Sequence, residues 1–150
     1  MRRLIVLPAL AFALMLLVPG TAQTDPPLVG QVELEFHLDN PIWRGPITGD
    51  LDGWIEFTSL EGFARGMVWF FGEKWEIKDG ENGPMLLAGT DNGIISPDPN
   101  SKYVMNGVVT EAGPGYEHLI GRNIHASGHI TWHPDIPDLP VTAPGTFRIN

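Results

Sequence analysis

Gly30-Gln31-Val32-Glu33-Leu34-Glu35-Phe36-His37-Leu38 is the stretch that decides the fold class. Val32, Leu34, Phe36 and Leu38 are apolar, and Gln31, Glu33, Glu35 and His37 between them are polar. Alternation with a period of two marks a strand with one buried and one solvated face. Successive side chains of a strand point to opposite sides of a sheet, so this segment needs a sheet around it and a core beneath it.

The chain beyond this strand reads as more strands and almost no helix. Pro41, Gly45 and Pro46 interrupt it, and 47–58 reads as a second strand in which Gly49 and Gly53 mark bulges or bends. Thr58-Ser59-Leu60-Glu61 has the form of a capping box and predicts one helical turn. The apolar run 67–71 is followed by Gly72-Glu73 and then by 74–78. With Gly72-Glu73 as a type II′ turn, Phe70 faces Trp75 and Val68 faces Ile77. A continuous strand over 66–78 is the alternative, and it reverses Val68 and Phe70. Further on, 79–83 is a turn, 85–89 a short strand, Asp91-Asn92-Gly93 a turn and 94–95 a strand stub. A strand over 103–111 carries a possible kink at Asn106-Gly107. The longest extended segment is 117–133. It sets Ile124, Ala126, Gly128, Ile130 and Trp132 on one face and His125, Ser127, His129 and His133 on the other. A loop over 134–144 with four prolines leads to a last strand over 145–150.

Consecutive strands joined mostly by short turns favour an up-and-down arrangement. The expected fold is therefore all-β, a single antiparallel barrel of about eight strands, in which the last strand pairs with the first and no edge is left open. Among 150 residues, 18 Gly and 14 Pro are too many for a helical bundle. With no Cys, disulfides, Cys-ligated zinc, iron–sulfur clusters and thiol nucleophiles are excluded. The formal charge of -9 argues against nucleic acid or anionic lipid as a partner.

The first residues read as an address. Arg2 and Arg3 precede an apolar run over 4–18, and Pro19-Gly20-Thr21-Ala22 supplies a small-x-small exit. This is the pattern of a Sec-type signal peptide over 1–22. A membrane anchor is the alternative, but the run is shorter than the roughly 20 residues a spanning helix needs. A leader over 23–29 and one barrel domain over 30–150 follow. The protein is expected to be secreted or periplasmic, and without Cys it is not a lipoprotein.

The strand 30–38, the run Gly49-Asp50-Leu51-Asp52-Gly53 and the closing Gly145-Thr146-Phe147-Arg148-Ile149-Asn150 resemble the style of small calycin-like barrels, allene oxide cyclase-like and dirigent-like ones first, with lipocalins behind them. The lipocalin Gly-x-Trp start is missing. The resemblance implies a barrel with one open end, often holding an apolar ligand.

Several residue groups invite chemistry. His118, His125, His129 and His133 lie close in sequence, but residues four apart on a strand are about 13 Å apart, too far to share one ion. A solvated outer face explains them as well. Asp50-x-Asp52-Gly53 begins like a calcium loop and fails at Trp54. Glu33 and Glu35 are about 6.7 Å apart along one strand face, a spacing that any solvated strand with alternating Glu also has. Ser127 between His125 and His129 lacks the separate segments a triad draws on. No cofactor and no metal is expected.

Five tryptophans are many for this length, and they either fill the barrel or line a cavity. The leading expectation is a small apolar or amphipathic ligand bound inside the barrel by Phe36, Trp54, Phe70, Trp75, Ile124 and Trp132. An interior with no cavity above about 100–150 Å³ would sink it, since ligand pockets run to about 300–1,000 Å³. A structural or interaction protein of the cell envelope is a second expectation, with Met67, Trp69 and Phe71 as its surface. An isomerase- or cyclase-like enzyme is a third. It requires a polar group in the cavity, with Glu111, Arg122 and His125 as candidates.

Overall fold

The computed structural model describes residues 25–37, 40–97, 101–131 and 141–150. The signal segment 1–22, Leu38, Trp132 and His133 therefore lie outside the described residues. Eight strands are described: β1 (Leu28–His37), β2 (Asn40–Gly49), β3 (Gly53–Arg65), β4 (Val68–Lys78), β5 (Met85–Ile95), β6 (Lys102–Ala112), β7 (Asn123–His129) and β8 (Val141–Ile149). Each pairs antiparallel with the next, and β8 returns to β1 to close the barrel. Among the described residues the only helix is a 3-10 turn at Glu117–Leu119.

The alternating strand anchors the closure. Val32 and Leu34 are buried while Gln31, Glu33 and Glu35 are exposed. Its register runs from Leu28 opposite Ile149 to Phe36 opposite Val141 on β8. The same alternation elsewhere sends Ile55, Phe57, Trp75, Ile77, Ile124 and Phe147 inward. Trp75 meets Phe147 edge-on, with ring centroids 5.2 Å apart. An edge-to-face pair places the positive rim of one ring against the negative face of the other.

Many of the glycines lie within strands and make room for a large neighbour. A Cβ on Gly89 would stand 2.4 Å from the Trp75 indole, and one on Gly93 2.4 Å from the Phe71 ring. Gly128 and Gly145 lie against the Tyr103 phenol, where added Cβ atoms would come within 2.6 and 2.1 Å. Bulky and absent side chains alternate around the wall, so the large rings fit inside it.

Several local expectations are corrected. Residues 47–58 are two strands, because the chain turns over 50–52, with Gly49 at φ +125°. Thr58–Glu61 is strand with a bulge between Ser59 and Glu61, so there is no helical turn. The type II′ hairpin at Gly72-Glu73 is absent. Residues 68–78 run as one strand, and the turn lies at Gly66-Met67, with Gly66 at φ +63°. Phe70 and Val68 consequently face outward. Asp91-Asn92-Gly93 is not a turn but the middle of β5. The segment 117–133 is broken by the 3-10 turn, and among its described residues only 123–129 is strand.

Candidate functional site

The two ends of the barrel differ. At one end Leu51, from the turn after β2, and Leu119, from the 3-10 turn, are buried over the Trp75 and Phe147 layer and seal it. Toward the other end the packing leaves a cleft of about 70 Å³. Trp43, Trp69, Ile95 and Ile130 are among the side chains around it, with Phe57, Tyr103 and Met105 deeper in the wall. The ends of β1, β3, β5 and β7 and the starts of β2, β4, β6 and β8 lie at this same end.

Two carboxyl groups stand among these apolar side chains. Glu73 lines the cleft and is 5% exposed. Asp91 is its direct register partner on β5 and is 2% exposed. Glu73 shares its strand face with Phe71, Trp75 and Ile77, and Asp91 shares its own with Leu87 and Gly89. Side chains directly opposite on one face lie about 5 Å apart at Cβ. Gly107, the partner of Asp91 on β6, gives it room, since a Cβ there would stand 2.7 Å from Asp91 Cβ.

Their electrostatics follow from that position. Burial pushes the Glu73 carboxyl up to about 7, against the opposing pull of a hydrogen bond from Ser59 Oγ to Glu73 Oε1 at 3.1 Å. Burial pushes Asp91 further, to about 8, and the neighbouring Glu73 charge adds to it. Both oxygens of Asp91 are buried without a hydrogen-bond partner. Burial also raises the Tyr103 phenol, whose hydroxyl donates to the Ala143 carbonyl at 3.4 Å. Near neutral pH the pair can hold or release a proton where little water competes.

The expected site residues divide. Trp75 and Ile124 are in the core, below the cleft. Phe36 is half-buried and packs on Trp43, with ring centroids 5.1 Å apart. Trp54 faces outward beside Pro46, in a groove with Glu33, Glu35 and Arg44. Phe70 also lies on the outer face, stacked on Phe63. Trp132 is outside the described residues.

The polar candidates do not stand in the interior. Glu111 is exposed. Arg122 bonds the Asn150 and Asp25 carbonyls and pairs with the Asp25 carboxylate at 3.6 Å. His125 meets Asn106 Oδ1 at 2.9 Å on the outer face. Alternation with buried Ile124 and Ala126 is what turns it outward. Of the surface trio, Met67 is 77% and Trp69 45% exposed, whereas Phe71 is buried. Among the described residues no three His, Cys, Asp or Glu side chains gather as metal ligands.

Glu73 and Asp91 were not among the expected residues. Their signal was present in the first case: an acid at the second place of the alternating set Phe71, Glu73, Trp75, Ile77. Reading Gly72-Glu73 as a turn concealed it.

Fold and site together define a closed up-and-down β-barrel with Glu73 lining an aromatic cleft and Asp91 buried beside it as its cross-strand partner. No protein-family model, curated protein or solved structure matches the chain.

Proposed function

We propose that the protein is an exported, calycin-like binding barrel that takes the end group of a small amphipathic molecule onto Glu73 and Asp91. The observation that carries this reading is Asp91, with two buried oxygens and no hydrogen-bond partner. A buried carboxyl without a partner costs about 1–3 kcal/mol or more, and a donor arriving with a ligand would recover that. The cleft sets the mode of binding. About 70 Å³ falls under the roughly 100–150 Å³ set for a ligand housed inside the barrel, so that expectation is withdrawn, and the room left is for an end group about the size of two waters. The ligand therefore enters end-on, with its apolar part against Trp43 and Trp69.

The end group that suits this floor is a protonated amine. An ionised carboxylate only accepts hydrogen bonds, and an ammonium brings three donors. None of the residues named around the cleft is Lys, Arg or His, and the chain is strongly acidic. Titration of the tryptophan fluorescence with octylamine, octanol and octanoate tests this. Saturable binding of the amine, lost in E73Q/D91N, is expected. Equal responses to all three, or none, would contradict it.

The same pair favours one second reading. A carboxyl at about 7 in an apolar cleft is poised for proton transfer, which supplies the polar group an isomerase-like barrel requires. Chemical change in the bound molecule, dependent on Glu73, would distinguish it from simple binding.

A further inference from the structure

The barrel is closed, yet part of one strand reaches beyond it. β3 pairs with β2 only from Gly53 to Phe57, whereas it pairs with β4 as far as Arg65. Among the described residues, the β2 side of 58–65 has no strand against it. Every residue from Thr58 to Met67 is exposed, Leu60 by 57% and Phe63 by 60%. An unpaired edge carrying large apolar side chains is a place where another strand adds.

The hairpin geometry fixes which groups are free. Arg65 faces Val68 across the two-residue turn at Gly66-Met67. The pair that closes such a turn exchanges both its hydrogen bonds, and bonded and non-bonded pairs then alternate. Arg65, Phe63 and Glu61 thus bond toward β4. The N–H and C=O of Gly62 and Ala64 point to the open edge. Glu61, Phe63 and Arg65 share the outer face: Phe63 stacks on Phe70 at 5.2 Å, and a Cβ on Gly72 would meet Glu61 Cγ at 3.4 Å. Neither Glu61 nor Arg65 has an ion-pair partner among the described residues.

We infer that this edge pairs antiparallel with the same edge of a second copy, about a two-fold axis at Phe63. In that register Gly62 of each copy exchanges hydrogen bonds with Ala64 of the other, using the groups that are free. Phe63 meets Phe63 as a non-bonded pair, in which side chains lie closest. Glu61 stands opposite Arg65, twice over by symmetry. A slide of two residues either way sets Glu61 or Arg65 opposite Phe63 and loses the ion pairs, and a slide of four sets Glu61 on Glu61 or Arg65 on Arg65, which like charge disfavours. The bulge between Ser59 and Glu61 ends the regular edge, so the contact is short and the dimer is weak.

Sedimentation of the purified protein over a concentration series tests this, with wild type, E61R, R65E and E61R/R65E compared. The wild type is expected to show a concentration-dependent dimer. Each single reversal sets like charges opposite and should weaken it by about tenfold or more, and the double exchange should restore it. Both side chains concerned, Glu61 and Arg65, are exposed, and circular dichroism verifies that each variant is folded. A wild type that stays monomeric overturns the proposal, as does a dimer that E61R leaves unchanged. A monomer that co-sediments with phosphatidylcholine vesicles would instead give the hairpin tip to a membrane surface, and also overturns it.

Discussion

Glu73 of β4 and Asp91 of β5 are direct cross-strand neighbours, and both carboxyl groups are inside the barrel. Like charges in that position repel, and desolvation penalises each of them separately. The pair is therefore a local cost to the fold, and its consequences can be measured.

Stability should fall as pH rises. Both acids titrate higher in the folded protein, at about 7 and about 8, than the roughly 4 expected of an unfolded chain. The folded state therefore binds more protons between these values, and unfolding becomes easier with each step upward through that window. A melting temperature lower at pH 8.5 than at pH 5 by about 5 °C or more is expected, flattened in E73Q/D91N. Differential scanning calorimetry across pH checks it.

Asp91→Asn should stabilise the protein at pH 8.5. The substitution keeps the shape and removes the charge that has no partner. A gain of about 1–3 kcal/mol in denaturant unfolding is expected there, shrinking toward pH 5, where the native group is already neutral.

The glycines of the wall should respond in two ways. Gly30→Ala meets only the Ile47 side chain, at Cδ1 and Cγ1, both 2.6 Å away, with the nearest backbone atom at 3.6 Å. Its cost, about 1–3 kcal/mol, should be relieved in a double-mutant cycle by Ile47→Ala, which removes both atoms. Gly89→Ala also meets the Val108 carbonyl, at 2.1 Å, so trimming the Trp75 indole should not relieve it.

The sealed end should be separable from the cleft. Leu119→Ala removes a fully buried plug and should cost about 2–5 kcal/mol in denaturant unfolding. Octylamine affinity should stay unchanged at temperatures where the variant is folded, because Leu119 lies at the opposite end from Trp43 and Trp69.

The barrel was legible because alternation at 31–37 is unambiguous and short turns between strands leave few topologies. The strand limits were less so, since a glycine that opens a turn and one that accommodates an indole look alike in sequence. Gly66 does the first and Gly89 the second, and only the opposing strand tells them apart. Phe70 was expected inside through the type II′ reading of Gly72-Glu73 and Trp54 as one of the aromatics, but strand parity puts both outside. The carboxyl pair depends on the register of β4 against β5, a non-local fact that no window of sequence contains.

The account rests on a buried, protonated carboxyl pair of which Glu73 lines the cleft, and a carboxyl-detected NMR pH titration of Glu73 and Asp91 tests it most directly. The account predicts two coupled transitions with apparent midpoints near 7 and 8, both moving downward when octylamine is added. Two independent transitions near 4, unmoved by the amine, would contradict it.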